Sequence, residues 1–458
     1  MIVGAGLSGL SCAYRLEQLG IAPLVLEAAD RPGGAIATLG RNGFLFESGP
    51  QFPRFAKAVW QLVRELNLET EFVWGNPKAK RYILRDGKLE RAPFSPVGLL
   101  STGLVGRSAK YRILTEVFGS SHPPETEETL AQFVERKFGV EVLENLADPI
   151  VSTVFLGDAR KMGMLSAFPA LVNWEKQHGS LIRGALRSRK GQRDGGSAKE
   201  AARKGSRALH VTDALPSLGS FKEGMATLTD GLAAALGEKV RYGARITGVG
   251  CAGGGTGESG WRVAVAGGEE LEAEHLILAV PAYVAAELLR NAATELAEKL
   301  ASIEYAPLEV VACGYERGQV AHDLDGFGFM VPRREGLRII STFWNSSLFP
   351  GRAPEGKVLV TSFARVGANA GGEGGASQVH RENAKILGIT GEPIEQFVWR
   401  DARALPQYNV GHAGMVAEIE KRVAKMRTLH LAGNYLHGRS IGECVENSLR
   451  LAESLGGR

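Results

Sequence analysis

The pattern of apolar and polar positions over the first 30 residues predicts a strand, a helix and a second strand. Residues 1–3 form an apolar run, and Leu10, Ala13 and Leu16 then recur at the spacing of one helix face. The apolar run at residues 23–26 is continuous, as expected of a parallel strand buried on both faces. The chain therefore begins with a βαβ unit, which is typical of nucleotide-binding α/β folds.

Hydrophobic periodicity divides the rest of the chain into a mostly helical stretch, 95–186, and strand-rich stretches. Asn42-Gly43 is a two-residue turn signal, so residues 38–50 are expected to form a hairpin. Amphipathic spacing predicts helices over 56–67, 126–147 and 224–236, and a last helix from about residue 443. Strands are predicted at 240–250, 261–266, 276–280, 308–313, 328–331, 358–363 and 429–432, with glycine-rich loops at 252–260 and 367–375.

The length and the order of these elements set the expected fold class. A chain of 458 residues exceeds one ordinary hydrophobic core, so two or three domains are expected. The elements predicted at the beginning and at the end of the chain are typical of an α/β fold, and those predicted in the middle are typical of an α+β fold. We therefore expect a discontinuous, Rossmann-like α/β domain assembled from distant segments, an α+β domain and a mainly helical domain.

Composition excludes several classes of protein. Hydrophobic residues make up 44% of the chain and charged residues 23%, and no run approaches the roughly 20 apolar residues that span a bilayer. The first residues lack the basic and apolar regions of a secretion signal. Four widely spaced cysteines predict neither disulfides nor a zinc site, and nine histidines show no metal-ligand spacing. The sequence thus predicts a reducing, cytoplasmic setting and no metal.

The net charge of +4 is unevenly distributed. Between Arg183 and Arg207 there are nine Lys or Arg against two acidic residues, a local charge of 9 − 2 = +7, which leaves 4 − 7 = −3 for the remainder. The segment is rich in glycine and serine and is interpreted as a solvated loop. Contact with anionic lipid or with nucleic acid is the alternative interpretation.

The most informative motif is the glycine-rich turn Gly4-Ala5-Gly6-Leu7-Ser8-Gly9. It follows a strand and opens a helix, and Glu27 ends the next strand, 27 − 9 = 18 residues after the last glycine. In a dinucleotide-binding unit these glycines allow a tight turn, a close approach to the pyrophosphate and close helix packing. The helix N-terminus attracts the phosphates, and the acidic residue can bind the ribose. The alternative is a tight turn beside a surface glutamate.

Two further segments narrow the choice of dinucleotide. The run Glu27-Ala28-Ala29-Asp30-Arg31-Pro32-Gly33-Gly34, with Gly49-Pro50 beyond it, resembles the flavin amine oxidase superfamily. Near the C-terminus Gly433-Asn434, followed by Gly438-Arg439-Ser440-Ile441, resembles the second FAD motif of that superfamily. The resemblance implies that Arg31 pairs with phosphate, and that the last helix points its N-terminus at the flavin. Ala35 departs from the Arg or Lys that often follows the two glycines.

The resemblance implies FAD as the cofactor and gives a set of contacts. These are Gly4, Gly6, Leu7, Ser8, Gly9, Glu27, Ala28, Arg31, Gly33, Gly34, Gly49, Pro50, Ile246, Ala279, Gly433, Asn434, Ser440 and Ile441. It also implies an FAD-binding domain at 1–75, 217–286 and 408–458, a substrate-binding domain at 76–94 and 287–407, and a helical, membrane-associating domain at 95–216 with a basic loop at 187–215.

Within the superfamily, several stretches are similar to the protoporphyrinogen oxidase family. They are 79–83, 148–158, 167–176, 220–228, 326–332 and 404–412. This resemblance implies that Arg81 binds a substrate propionate, that Phe327 stacks on a pyrrole ring, and that Met330 and Thr153 line the slot. Thr153 and Met330 stand where the family usually has glycine and leucine. The alternatives are a surface strand residue for Arg81 and ordinary core packing for Phe327 and Met330.

The same resemblance implies oxidation of protoporphyrinogen IX to protoporphyrin IX in three rounds, each consuming O2 and releasing H2O2. No catalytic acid or base is assigned, and Tyr408 and His412 are interpreted as structural. Coproporphyrinogen III oxidation, another amine oxidase or desaturase activity, and a non-enzymatic carrier role remain open. The implied partners are the porphyrinogen, O2, a membrane face and a ferrochelatase that takes the product. No contact with nucleic acid is expected. The protein is expected to be a monomer or homodimer and to lie at the cytoplasmic face of the membrane.

Overall fold

The secondary structure combines short parallel strands, a long antiparallel sheet and a run of helices. The structure, a computed structural model, describes residues 1–52, 56–76, 78–93, 96–119, 124–193, 218–252, 260–366, 374–438 and 440–457. The strands are β1 (Ile2–Val3), β2 (Val25–Leu26), β3 (Thr38–Arg41), β4 (Phe44–Glu47), β5 (Phe72–Trp74), β6 (Lys80–Arg85), β7 (Lys88–Arg91), β8 (Gly219–Phe221), β9 (Val240–Arg241), β10 (Ile246–Cys251), β11 (Trp261–Val265), β12 (Glu270–Ala273), β13 (Leu276–Leu278), β14 (Tyr305–Glu316), β15 (Gly326–Met330), β16 (Ile339–Phe343), β17 (Lys357–Ala364), β18 (Glu395–Pro406) and β19 (Leu429–Leu431).

The helices flank these strands and dominate the stretch between β7 and β8. They are α1 (Leu7–Gln18), α2 (Lys57–Glu65), α3 (Pro96–Ser101), α4 (Arg107–Thr115), α5 (Leu130–Phe138), α6 (Val140–Val142), α7 (Asp148–Phe155), α8 (Met164–Ala167), α9 (Pro169–His178), α10 (Leu181–Arg193), α11 (Ala226–Leu236), α12 (Ala282–Leu289), α13 (Thr294–Ala301), α14 (Asn345–Leu348), α15 (Gly374–Leu387), α16 (His412–Val423) and α17 (Ile441–Gly456).

A five-stranded parallel sheet joins both ends of the chain to its middle. Its order is β19-β13-β1-β2-β9, and Ile2 lies opposite both Val25 and Ile277. Because successive side chains of a strand point to opposite faces, the sheet buries two separate cores. One face contributes Ile2 to a core shared with α1, α11 and α17, and the other contributes Val3 to a core shared with α12 and α13. The short first strand is thus paired on both edges and buried on both faces.

A second sheet has seven strands, in the order β18-β14-β17-β16-β15-β6-β7. Its neighbours run antiparallel except β15 and β6, which are parallel, with Gly328 opposite Arg81. The hairpin of β6 and β7 comes from residues 80–91, but β6 pairs with β15, which comes from residues 326–330. This pairing brings an early segment of the chain into a sheet that is otherwise built from its second half.

Several sequence-based predictions are confirmed with shifted boundaries, and one is wrong. The hairpin at 38–50 is present as β3 and β4, and the helices expected at 56–67 and 224–236 are α2 and α11. The strand expected over 240–250 is two strands. The chain bends between them, so Val240–Arg241 completes the parallel sheet, whereas Ile246–Cys251 pairs with β11 in a separate antiparallel sheet.

The helical stretch is confirmed, but its predicted long helix is interrupted. The expected helix 126–147 is α5, which ends at Phe138 with Gly139 as its C-cap, followed by α6 and a π-helical segment at Leu143–Ala147 that leads into α7. Most of the predicted basic loop, from residue 194 to 215, lies outside the described residues, as do 253–259 and 367–373 of the glycine-rich loops. Within the described parts of the chain, no helix is long and apolar enough to cross a membrane.

Candidate active site

The turn between β1 and α1 is built by close backbone contacts. Gly4 has φ +103°, and a Cβ atom there would lie 2.6 Å from the Ala279 carbonyl oxygen. A Cβ at Gly9 would lie 2.0 Å from the Gly4 carbonyl oxygen and 3.1 Å from the Ala279 side chain. No side chain fits at either position without displacing backbone. Gly4 and Gly9 are therefore explained by the packing of the turn against the end of β13.

Gly6 has a different environment. A Cβ built on it would meet no protein atom within 4 Å, and its backbone is extended, with φ −70°. Packing within the protein therefore does not require glycine here. Gly6 is the N-cap of α1 and supplies no side-chain cap to the first N–H groups of the helix. An open space at uncapped helix N–H groups fits a phosphate, so the residues present fit the pyrophosphate of a dinucleotide.

Glu27 lies at the end of β2 and points back toward the glycine turn. Its Oε2 accepts a hydrogen bond from the Ala5 N–H at 2.7 Å, and its Oε1 accepts one from the Ala29 N–H at 2.9 Å. The side chain is half-buried, so the carboxylate is both held in place and reachable. A carboxylate fixed in this way retains lone pairs that can accept hydrogen bonds from ribose hydroxyls. The structure thus gives Glu27 a second role, that of bracing the turn.

The loop after Glu27 closes over the turn. Gly33 and Gly6 form an isolated parallel bridge, and Gly34 approaches Gly6 closely. Arg31 donates to the carbonyl oxygens of Pro32 at 2.9 Å, Gly34 at 3.0 Å and Ile36 at 3.1 Å. The contacts that the structure shows for this guanidinium are therefore with the loop backbone. Pairing of Arg31 with a phosphate stays a prediction.

The C-terminal motif is organised around the start of α17. Ser440 is the N-cap of this helix: its Oγ accepts from the Glu443 N–H at 3.2 Å, and the Glu443 side chain accepts from the Ser440 N–H at 3.1 Å. This reciprocal capping box fixes the helix N-terminus. Asn434 accepts a hydrogen bond at its backbone carbonyl from the Tyr408 hydroxyl at 2.6 Å. Tyr408 in turn stacks on His412, and the structural role of both stays a prediction.

The two predicted cofactor motifs meet although they stand at opposite ends of the sequence. Helices α1 and α17 pack against each other, and the Cys444 thiol in the first turn of α17 lies near the Ser8 side chain in the first turn of α1. Burial raises the pKa of that thiol to about 12, so it stays neutral near pH 7. Because both helices begin at this contact, their two N-termini lie side by side. One extended ligand can therefore reach both motifs.

The remaining predicted cofactor contacts lie around the same turn or at its borders. Leu7 and Gly49 are buried; Ala28 is exposed; Pro50, Ile246, Gly433 and Ile441 are half-buried. Ile246 begins β10, and Ile441 begins α17. Gly433 is required by packing, because a Cβ there would lie 2.6 Å from the Tyr435 ring. These positions are consistent with one site, and their contact with a cofactor stays a prediction.

The predicted substrate residues converge on two paired strands. Arg81 on β6 lies across the ring of Phe327 on β15, with its guanidinium carbon 4.7 Å from the ring centroid. Burial lowers the pKa of Arg81 from its ordinary value, which leaves the group cationic at neutral pH. Phe327 also meets Phe52 and Phe343 edge-on, at 5.1 and 5.6 Å between centroids. Arg81 thus places a cation at the border of an aromatic wall.

Phe52 and Phe343 extend this wall, and sequence reasoning missed both. Phe52 follows the Gly49-Pro50 pair by two residues, and Phe343 lies on β16, beside β15. Phe343 lies near Phe327 through the pairing of β15 with β16, and Phe52 through packing of a segment that is distant in sequence. No local sequence signal distinguishes these two from other buried phenylalanines.

Met330 and Thr153 connect the sheet to the helical stretch. Met330 is half-buried and packs against a helical core that includes Phe155 and Leu143. Thr153 lies on α7, which contacts β15 and β16, and its Oγ1 is buried without a hydrogen-bond partner among the residues described. The structure therefore brings Arg81, Phe327 and Met330 onto one pair of strands and sets the helix of Thr153 against them.

Other sequence-based expectations concern metals and cysteines. In the described ranges, no group of three or more His, Cys, Asp or Glu is arranged to hold a metal ion. All four cysteines are free thiols. The parallel sheet with its glycine turn, the paired helix N-termini and the separate aromatic wall define a dinucleotide-binding oxidoreductase class.

Comparisons with known proteins place the chain within this class. The profile of the family described as flavin containing amine oxidoreductase matches residues 7–455. The chain is 30% identical over 495 residues to the chloroplastic protoporphyrinogen oxidase of Nicotiana tabacum, covering 100% of this chain and 85% of that protein. It is 27% identical to the coproporphyrinogen III oxidase of Bacillus subtilis, covering 97% of this chain and 95% of that protein.

Solved structures agree on the fold. A crystal structure from Exiguobacterium sp. 255-15, titled "Putative protoporphyrinogen oxidase", matches with a TM-score of 0.81 at 23% identity, covering 99% of this chain and 98% of that one. At this identity the likeness shows the fold alone. The chain belongs to the flavin-containing amine oxidoreductase family, among the relatives of protoporphyrinogen oxidases. The predicted flavin amine oxidase fold and FAD cofactor are thereby confirmed.

Proposed function

We propose that the protein is an FAD-dependent oxidase that converts protoporphyrinogen IX to protoporphyrin IX. The overall change removes six electrons and six hydrogens, and three O2 become three H2O2. The observation that carries the proposal is the position of Arg81 at the edge of the aromatic wall of Phe327. A flat, apolar macrocycle with carboxylate arms needs such a combination of cation and aromatic surface.

The residues of the chain act by binding and orientation. The guanidinium of Arg81 donates hydrogen bonds to a propionate, while Phe327, Phe52 and Met330 offer an apolar wall to the ring system. FAD supplies the two-electron acceptor when it is bound. Gly6 and the N-termini of α1 and α17 would hold its pyrophosphate and flavin ends. The protein's contribution is then to place a meso carbon against the acceptor in an apolar surrounding.

Coproporphyrinogen III is the second candidate substrate. It differs from protoporphyrinogen IX by two additional propionates, and a coproporphyrinogen III oxidase is among the relatives. Additional cationic side chains around the substrate site would favour coproporphyrinogen III. Arg333 lies three residues beyond the end of β15, Arg365 lies directly after β17, and the cavity that both line is described below.

We propose that the functional parts follow the division given by sequence. The FAD-binding part is 1–75, 217–286 and 408–458, the substrate-binding part is 76–94 and 287–407, and the helical part is 95–216. Sheet membership supports this division, because the strands of the parallel sheet lie in the first part. The strands of the seven-stranded sheet lie in the second, and α3 to α10 lie in the third.

We also propose peripheral contact of the helical part with the cytoplasmic face of a membrane. Three apolar side chains on and just after α4 are exposed: Tyr111 by 69%, Leu114 by 52% and Phe118 by 81%. The exposed bases Arg107 and Arg112 lie on the same helix. Exposed apolar side chains beside bases favour an interfacial contact with anionic lipid. Such a surface suits a poorly soluble product that a membrane-bound enzyme such as a ferrochelatase would receive.

A direct assay tests the proposed activity. The FAD-loaded protein is mixed in air with protoporphyrinogen IX or coproporphyrinogen III, and porphyrin fluorescence, O2 uptake and H2O2 are followed against an enzyme-free control. We expect porphyrin to form faster than in the control, with three O2 consumed per protoporphyrin IX. Equal rates with and without enzyme for both substrates would contradict the proposal. Porphyrin formation without O2 uptake would contradict its oxidase part.

A further inference from the structure

A small cavity lies where helix α7 meets the seven-stranded sheet. Its volume is about 150 Å³, and it is lined by Ser152, Arg333 and Arg365 on its polar side and by Leu156, Pro307 and Ile340 on its apolar side. This volume corresponds to a few water molecules at roughly 30 Å³ each. A carboxylate-bearing side arm fits a space of this size, whereas a whole macrocycle does not.

The cavity contains buried donors without partners. Arg365 donates from Nη1 to the Leu337 carbonyl oxygen at 2.6 Å, while its Nη2 is buried without a hydrogen-bond partner in the described part of the chain. Ser152 is 2% exposed, and its Oγ is likewise buried without a described partner. Buried polar groups are nearly always hydrogen-bonded in folded proteins. Two such donors at one cavity therefore indicate a ligand that accepts hydrogen bonds.

The two arginines at the cavity differ in how fully their donors are engaged. Arg333 donates from Nε to Asp148 Oδ1 at 3.1 Å and from Nη2 to the Gly157 carbonyl oxygen at 2.6 Å. Its charge and that of Arg365 act on each other, and Asp148 and Glu382 partly offset them. The Glu382 carboxylate accepts hydrogen bonds from the backbone N–H groups of Arg338 and Ile339, so it acts on Arg365 by its charge and not by a described hydrogen bond. A carboxylate would reduce the repulsion of the two guanidinium groups and accept bidentate hydrogen bonds.

The cavity adjoins the proposed substrate slot. Ser152 is the chain neighbour of Thr153, and Arg333 follows Met330 by three residues, just beyond β15. Arg81 on β6 lies opposite Gly328 on β15, and Gly328 is five residues before Arg333 in the chain. At about 3.3 Å per residue, the two cationic positions lie at most roughly 17 Å apart along the strand direction. A single large ligand with carboxylates on opposite sides could reach both.

We propose that Ser152, Arg333 and Arg365 form a second carboxylate subsite, which takes a propionate on the side of the tetrapyrrole away from Arg81. The inference rests on the proposed porphyrinogen oxidation with coproporphyrinogen III as the substrate, because protoporphyrinogen IX carries its two propionates on adjacent rings and presents none on the side away from Arg81. Coproporphyrinogen III bears a propionate on every pyrrole ring, so it always presents one here. Arg365 and Ser152 are therefore specificity-determining residues of the slot.

The test is a binding measurement, separate from turnover. Coproporphyrin III and its tetramethyl ester are titrated into the FAD-loaded protein, and porphyrin fluorescence gives the dissociation constants. In Arg365→Gln we expect the affinity for the free acid to fall about tenfold, as for loss of a charge-assisted hydrogen bond. The affinity for the ester should stay within about twofold of the unmodified protein. Equal losses for acid and ester, or no loss for either, would overturn the subsite.

Two further variants make the result specific. Arg334→Gln is the matched control, because Arg334 adjoins Arg333 in sequence but faces Glu335 at 3.8 Å and does not line the cavity. Arg334→Gln should change neither the affinity for coproporphyrin III nor that for its tetramethyl ester. Ser152→Ala removes only a hydroxyl, so it keeps the test decisive if Arg365→Gln does not fold. It should weaken the acid alone, by roughly two- to fivefold; an unchanged acid affinity would count against the subsite.

The outcomes separate this inference from the proposed function. If the unmodified protein oxidises neither porphyrinogen, the proposed function fails whatever the titrations show. If it oxidises a porphyrinogen and the acid-specific loss is missing from Arg365→Gln and Ser152→Ala, only the subsite fails.

Discussion

Arg81 lies across the ring of Phe327, with its guanidinium carbon 4.7 Å from the ring centroid. The two residues stand on β6 and β15, strands that come from distant parts of the chain and pair in parallel. A cation over an aromatic face gains about 0.5–1 kcal/mol or more when partly buried. The contact therefore holds the charge at a fixed place beside the apolar wall, which is where a carboxylate arm of a macrocycle would end.

Replacing Arg81 should weaken substrate binding and leave the cofactor in place. For Arg81→Ala we expect KM for protoporphyrinogen IX to rise by about 10- to 100-fold, as for loss of a charged hydrogen bond of roughly 1.5–3 kcal/mol. The FAD content should equal that of the unmodified protein. Arg91→Ala on the adjacent β7, an exposed position, serves as the control and should match the unmodified enzyme. Loss of FAD from Arg81→Ala would show that the residue has another role.

The first glycine turn offers a pair of variants that separate folding from cofactor binding. In Gly9→Ala the new Cβ would lie 2.0 Å from a backbone oxygen, so the apoprotein should lose about 1–3 kcal/mol of stability. In Gly6→Ala the Cβ enters open space, so denaturant unfolding of the apoprotein should change by at most about 1 kcal/mol. FAD affinity should nevertheless fall at least about tenfold, because the methyl group occupies the place of a phosphate. Unchanged FAD affinity in Gly6→Ala would refute the assigned pyrophosphate position.

The capping box at the start of α17 can be tested against an equivalent one elsewhere. Ser440 and Thr129 both cap a helix with a reciprocal partner three residues on. Either substitution by alanine should cost about 1 kcal/mol of stability. Only Ser440→Ala should also weaken FAD binding, by roughly two- to fivefold, because only that helix points at the predicted cofactor site. Equal FAD affinities in the two variants would mean that the α17 N-terminus does not contribute.

The proposed membrane contact depends on exposed apolar side chains. Leu114→Ser combined with Phe118→Ser should reduce co-sedimentation with anionic vesicles several-fold, since about 0.8 kcal/mol is lost for each buried CH2 removed. Ile394→Ser, which alters a 41% exposed residue just before β18, is the control. Turnover in detergent should be equal in all three proteins. If the double variant binds vesicles as well as the control does, the contact surface lies elsewhere.

Local features of the fold could be predicted from the sequence, whereas long-range features could not. The turn at Gly4 to Gly9, the hairpin at Asn42-Gly43 and the helix beginning near Ser440 follow from nearby residues and were predicted. The division of 240–250 between two sheets depends on which distant strands are available for pairing, so no local pattern reveals it. The strand β18 was not predicted, although it lies along β14 for most of its length.

The same distinction holds for the candidate site. Arg81, Phe327 and Met330 were predicted through family resemblance, whereas spacing alone gave no reason to choose them. The partners of Arg31 are three backbone carbonyls, which a sequence cannot specify. Phe52 and the cavity at Ser152 and Arg365 were missed because each is formed by segments that meet only in the folded chain.

The central claim is that a porphyrinogen bound beside Arg81 and Phe327 transfers its electrons to the FAD held by the two glycine motifs. Anaerobic mixing of the FAD-loaded protein with protoporphyrinogen IX tests it most directly, with the absorbance of oxidised flavin as the readout. We predict that this absorbance falls, that it returns when air is admitted, and that Arg81→Ala needs a higher substrate concentration for the same rate. Flavin that stays oxidised in the presence of excess protoporphyrinogen IX and coproporphyrinogen III would contradict the account.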